Sequence, residues 1–212
     1  MPYARDERHA LVESMRAVGP DAPTLCGDWT ARDLAAHLVL RERRLDAAPG
    51  IMVSALEGYT ERVQRSIAAR EWNALLGDVE SGPPIWSPFH WVDEQANLAE
   101  MFVHHEDVRR AHDDWSVRTL PAGMQDRLWK LTTGIGRRSY RHSPVGVVLE
   151  RPGGDRVGVR KAGVRKAGDR TVTLRGESAE LLLHAFGRDQ VRVEFVGSAE
   201  DVAAVTGLDR SL

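Results

Sequence analysis

The sequence predicts an α+β protein: an N-terminal antiparallel helical bundle over residues 1–142, then a small α+β unit over residues 143–212. Three observations carry this reading. Apolar residues recur at helical spacing through the first two-thirds of the chain. After Ser143 the pattern changes to short valine-rich runs in partial alternation, which is a strand signal. The four or five predicted helices are joined by loops, as in a bundle of antiparallel neighbours.

The first helix is expected over residues 4–18, where Leu11, Val12, Met15 and Val18 share one face. The segment GPDAPTLCGDWT breaks it with Gly, Pro and Asp. Thr30 followed by Asp33 resembles a capping box with Asp in place of the usual Glu or Gln. It opens a second helix, ARDLAAHLVLRERRL. A third helix is expected over about 51–76, a long loop over GDVESGPPIWSPFHW, a fourth helix over about 93–113 and a fifth over about 122–140. A loop that long inside a compact domain often forms a lid or a binding wall.

In the tail, VGVVLE, DRVGVR, RTVTLR and VRVEFVG read as strands, and 177–187 and 199–206 as short helices. VRKAG at 159–163 is repeated at once at 164–168. A tandem duplication lengthening a hairpin accounts for it, since Lys and Arg at a hairpin tip are ordinarily solvated.

Composition excludes several function classes. Across 212 residues, 29 Lys and Arg face 31 Asp and Glu, for a net charge of −2. So even a balance offers no electrostatic basis for binding nucleic acid or an anionic membrane. No apolar run approaches the roughly 20 residues a spanning helix needs. The N-terminal segment is too charged for a signal peptide. The single cysteine, Cys26, permits no intrachain disulfide and fits a reducing cytoplasm. A soluble, cytoplasmic protein is expected.

The chemistry concentrates in the fourth helix, at Glu100-Met-Phe-Val-His104. Residues four apart lie on one helix face, a turn from each other, so Glu100 and His104 can converge on one ion. Asp107 continues the stripe and can orient His104 from behind. His37, between Leu34 and Leu38 on the second helix, is expected to face the interior, where bundles take ligands from facing helices. Two imidazoles and a carboxylate suit zinc, and three protein ligands leave an open coordination position. A bland reading stands beside this one. Glu-x-x-x-His arises by chance in many helices, and a histidine on an apolar face is often a hydrogen-bonded core residue. His105 is offset by about 100° from His104 and cannot share the face of Glu100. His9, His112, His142 and His184 show no ligand spacing, and His90 sits in the Pro/Trp loop.

Two segments carry a family resemblance. LCGDWTARDLAAHL at 25–38 resembles the first signature of the mycothiol-dependent maleylpyruvate isomerase N-terminal family, part of the DinB-like group of metal-binding helical bundles. EMFVHHEDVRRA at 100–111 is similar to its second signature. The resemblance covers roughly residues 5–140 and implies that His37, Glu100 and His104 are metal ligands. TLRGESAELLLHAFGR and VEFVGSAEDVAAV resemble the small sterol-carrier-like domain that follows the bundle in these isomerases. There a tail arginine contributes to the active site, and Arg188 is the candidate here. The whole is similar to actinobacterial metal-binding proteins built on this plan.

The expected function is divalent metal binding, with zinc as the default ion. The ion would activate a small-molecule thiol, mycothiol by resemblance, against an electrophilic substrate in an isomerisation or an S-transfer. A non-catalytic metal-binding or sensor protein is the alternative. Cys26 is expected to be a structural, small buried hydrophobe. Association into a homo-oligomer stays open.

Overall fold

The computed structural model describes residues 3–48, 53, 56–87, 94–161 and 170–210, the backbone alone at 94–96. Among the described residues, six helices come first: α1 (Tyr3–Val18), α2 (Ala31–Arg43), α3 (Glu57–Ala68), α4 (Trp72–Ser81), α5 (Glu94–Arg109) and α6 (Ala122–Ser139). Then follow β1 (Gly146–Glu150), β2 (Arg156–Arg160), β3 (Thr171–Arg175), α7 (Ser178–Ala185), β4 (Glu194–Val196) and α8 (Ala199–Thr206). The chain is thus α+β, as its hydrophobic periods predict. The VRKAG repeat lies largely in 162–169, outside the described residues, as does His90.

The chain forms two compact units, Met1–Ser116 and Val117–Leu212. The division falls at Ser116, not near residue 142 where the period changes. The reason is α6, which is helical in pattern but packs on α7 and β2. Gly136 brings the helix close to the sheet: a Cβ there would lie 3.1 Å from Val159 Cγ1 and 3.3 Å from Leu149 Cδ1. Periodicity reports what kind of element a segment forms, not which core it joins.

In the first unit α1 packs on α4 and α5, and α2 packs on α3 and α4. Leu11, Met15, Leu34, Leu38, Leu75, Leu76, Met101 and Val108 fill the core. A buried ion pair crosses it. Arg8 of α1 donates to Glu42 of α2 at 3.0 and 2.5 Å and to the Val79 carbonyl of α4 at 2.8 Å. One side chain thereby ties three helices together, with the charge of Arg8 neutralised where water is excluded.

The start of the single helix expected over about 51–76 lies outside the described residues, and its described part is two helices, α3 and α4. Its break is made by Glu71, whose carboxylate accepts from the backbone N–H of Asn73 at 3.0 Å and of Ala74 at 2.8 Å. A carboxylate in this N-cap position satisfies two of the donors left open at a helix start. The expected long loop is correspondingly shorter, because its first five residues, 77–81, belong to α4. Gly82, at φ 70°, ends that helix. α5 ends at Arg109, not near 113.

Among the described residues of the second unit, four strands form a sheet in the order β2-β1-β3-β4. β1 pairs antiparallel with β2 and parallel with β3, and β3 pairs antiparallel with β4. Val147, Leu149, Val172 and Leu174 are buried together with Tyr140, Leu181, Ala185 and Val205. Among the described residues, no helix is long and apolar enough to cross a membrane.

Candidate metal centre

The site is built from two helices and the loop before one of them, all within the first unit. Thr30 caps α2: its hydroxyl accepts from the Asp33 N–H at 3.3 Å, and Asp33 Oδ2 accepts from the Thr30 N–H at 3.0 Å. The Asp variant of the capping box expected from sequence therefore forms. Two turns further on, α2 presents His37, which is 8% exposed. The loop ahead is held by Thr24, whose hydroxyl donates to the Trp29 carbonyl at 2.7 Å. The Leu25 N–H donates to the Asp107 carbonyl at 3.1 Å and pins the loop to α5.

α5 and α2 bring their polar residues together. Glu100 Oε1 lies 3.4 Å from His104 Nε2 and 3.8 Å from His37 Nε2. The two imidazoles meet edge to face with centroids 5.7 Å apart. His37, Glu100 and His104 each offer a ligand atom within one span of 4.8 Å. Behind His104, its Nδ1 lies 3.0 Å from Asp107 Oδ2. A carboxylate can only accept, so Nδ1 carries a proton toward Asp107, and Nε2 is the ring nitrogen turned to Glu100. Arg41 Nε is 3.5 Å from Glu100 Oε1. His105, on the other face of α5, bonds Glu7 at 2.9 Å and Ser14 at 2.9 Å of α1. It takes no part in the site, as its angular offset requires.

Burial opposes charge on every group here, and pairing decides which groups are charged. For His37 burial prevails, helped by its neighbour His104, and its pKa lies below the ordinary 6.5. For His104 burial is outweighed by hydrogen bonds with Asp107, Cys26 and Glu100, which hold the imidazole well above its ordinary value. For Glu100 burial is likewise outweighed, by the bonds from His104 and His37, and the carboxyl sits well below the usual range.

Three features escaped the sequence reading. Cys26, expected to be a structural thiol, donates its S–H to Asp107 Oδ2 at 3.0 Å and lies 3.7 Å from His104 Nδ1. Cys26 and Asp107 are 81 positions apart, and no periodic signal spans that interval. The Trp29 ring stands 5.0 Å from that of His37. A cavity of about 660 Å³ opens beside His37, walled by Trp29, Asp33, Glu57, Glu61, Gln64 and Arg65. Arg188 belongs to the second unit, where its guanidinium donates to the Phe186 carbonyl at 2.6 Å.

Fold and site together define an α+β protein with a His/Glu/His cluster between two helices of its first unit. Comparison with known protein families, with characterised proteins and with solved structures finds no match.

Proposed function

We propose that His37, Glu100 and His104 hold one divalent metal ion, zinc by default, and that its open position receives a small-molecule thiol for attack on an electrophile. One observation carries the reading: two imidazole Nε2 atoms face one carboxylate oxygen at 3.4 and 3.8 Å, beside a cavity. Around a tetrahedral zinc, nitrogen and oxygen ligands at their usual bond lengths stand about 3.4 Å apart. The donor set therefore fits the ion in chemistry and in spacing. Asp107 keeps Nδ1 of His104 protonated, so that Nε2 stays available as a donor. When bound, such an ion lowers the pKa of a coordinated thiol enough to favour the thiolate. A thiolate that adds to the substrate and then leaves gives isomerisation; one that stays gives S-transfer. The resemblance to the isomerases nominates mycothiol. The cavity beside His37, lined by Trp29 and by carboxamide and charged side chains, supports the reading by offering room for the incoming molecule.

Elemental analysis should find one divalent metal ion per chain, with His37→Ala, Glu100→Ala and His104→Ala each losing most of it. Full occupancy in all three variants would reject the site. For the chemistry, titrating the cobalt-loaded protein with mycothiol should produce a near-ultraviolet thiolate-to-cobalt band that survives Cys26→Ala. Absence of the band at saturating thiol, with cobalt still bound, selects the non-catalytic metal-binding reading.

A further inference from the structure

His104 has two faces, and both meet potential ligands. Its Nε2 looks toward Glu100 and His37, while its Nδ1 looks toward Asp107 and Cys26. Cys26 Sγ, His104 Nδ1 and Asp107 Oδ2 are 3.0, 3.0 and 3.7 Å apart pairwise. They form a convergent ligand group of their own. A sulfur and a nitrogen bound to one tetrahedral ion stand about 3.5 Å apart at usual bond lengths, so the triangle needs little movement to close on one. The backbone already constrains all three. His104 and Asp107 share one helix, and the Leu25 N–H bond to the Asp107 carbonyl holds the segment carrying Cys26 against it.

We propose that Cys26, His104 and Asp107 form a second metal site, selective for thiophilic divalent ions such as cadmium, and that it competes with the first site for the imidazole of His104. Without an ion, the S–H and the Nδ1–H both point at Asp107 Oδ2. A metal ion entering there replaces both hydrogens as the partner of that oxygen. The thiol releases its proton to solvent and becomes a thiolate ligand. The His104 ring, held protonated in the ion-free protein, releases its Nδ1 proton to solvent as well, keeps the one on Nε2 and coordinates as a neutral imidazole through Nδ1. A neutral imidazole has one lone pair in the ring plane for coordination, so an ion on Nδ1 removes Nε2 from the first site. Ion type then decides which face is used. A soft ion gains from the thiolate, and a borderline or harder ion does well with two imidazoles and a carboxylate. The proposal rests on the first-site reading only for the competition; the second site itself stands on its own three residues.

Cadmium alone is the probe. Titrating the ion-free protein with Cd2+ should raise a thiolate-to-cadmium band in the ultraviolet that saturates at one ion per chain. The band should persist in Glu100→Gln, which damages only the first site, and be lost in Cys26→Ser. In the unsubstituted protein Cd2+ should also block alkylation of Cys26 by iodoacetamide, a reading that depends on no variant. Cadmium binding without a thiolate band, or with Cys26 still alkylated at the unliganded rate, overturns the second site. In cobalt-loaded protein the band should grow as cobalt is released. A full band with cobalt retained overturns the competition. Cobalt binding that survives Glu100→Gln undamaged would reject the first site alone, leaving the cadmium result to judge the second.

Discussion

Asp107 is completely buried and receives both the Nδ1–H of His104 and the S–H of Cys26 on one oxygen. Replacing it by Asn keeps the shape and puts an amide where the carboxylate was. The imidazole then loses the partner that fixes its tautomer. Asp107→Asn should weaken zinc binding by about 10- to 100-fold, measured by competition with a chelator of known affinity. Unchanged affinity would mean that the Nε2 donor needs no such support. Another buried histidine, His184, behaves differently. Burial, with the nearby charge of Arg210, pushes its pKa down to about 3, and its Nδ1 shares a hydrogen bond of 2.5 Å with the Tyr140 hydroxyl. The unfolded chain takes up this proton near 6.5, while the folded one refuses it down to about 3. The stability that depends on a neutral His184 is therefore intact above 6.5 and is lost as pH falls from there toward 3. Between about pH 7.5 and about pH 5 the loss should be about 2 kcal/mol, read from urea unfolding. His184→Gln should flatten that part of the profile, and an unaltered profile would reject the assignment.

Helix α2 carries His37 on a start that two side chains build. Thr30→Ala removes the hydroxyl that accepts from the Asp33 N–H and should cost about 1 kcal/mol, with the denaturant slope unchanged. A much smaller loss would mean that packing alone sets where α2 begins. The same helix is held to α1 by the Arg8–Glu42 pair, whose side chains are 8% and 1% exposed. Glu42→Gln strands a buried guanidinium and should destabilise the first unit by about 3–5 kcal/mol. Arg8→Met with Glu42→Leu removes both charges and should be the milder change. If the double variant is the worse of the two, the pair contributes more than it costs to bury.

Among the described residues, all candidate ligands lie in Met1–Ser116 and none in Val117–Leu212. An ion that binds only folded protein stabilises the part that binds it, by about 2.7 kcal/mol at a concentration 100 times its dissociation constant. Amide exchange should therefore slow in α2 and α5 on adding zinc and stay unchanged in β1–β4. Equal protection in both units would show that they unfold as one.

Much of the chain was legible from local pattern alone, because helices and strands are specified by neighbours a few residues apart. The range of α8, the Thr30–Asp33 cap and the pairing of Glu100 with His104 one turn on are all of this kind. The break at Glu71 was not, because a cap carboxylate stops one helix and starts another without disturbing the hydrophobic period. Nor was the place of α6, since an amphipathic stripe fits any complementary core, and here it joins the sheet. His37 was drawn to the site by its apolar neighbours and by the family resemblance, but its distance to Glu100 is a tertiary fact. The same holds for Cys26, which chain composition made a lone thiol and which folding sets against Asp107 and His104. Short-range spacing determined most of the elements and paired two of the three ligands, Glu100 and His104. Only the packing of α2, its preceding loop and α5 could decide the rest, because contacts across tens of residues leave no periodic trace in a single sequence.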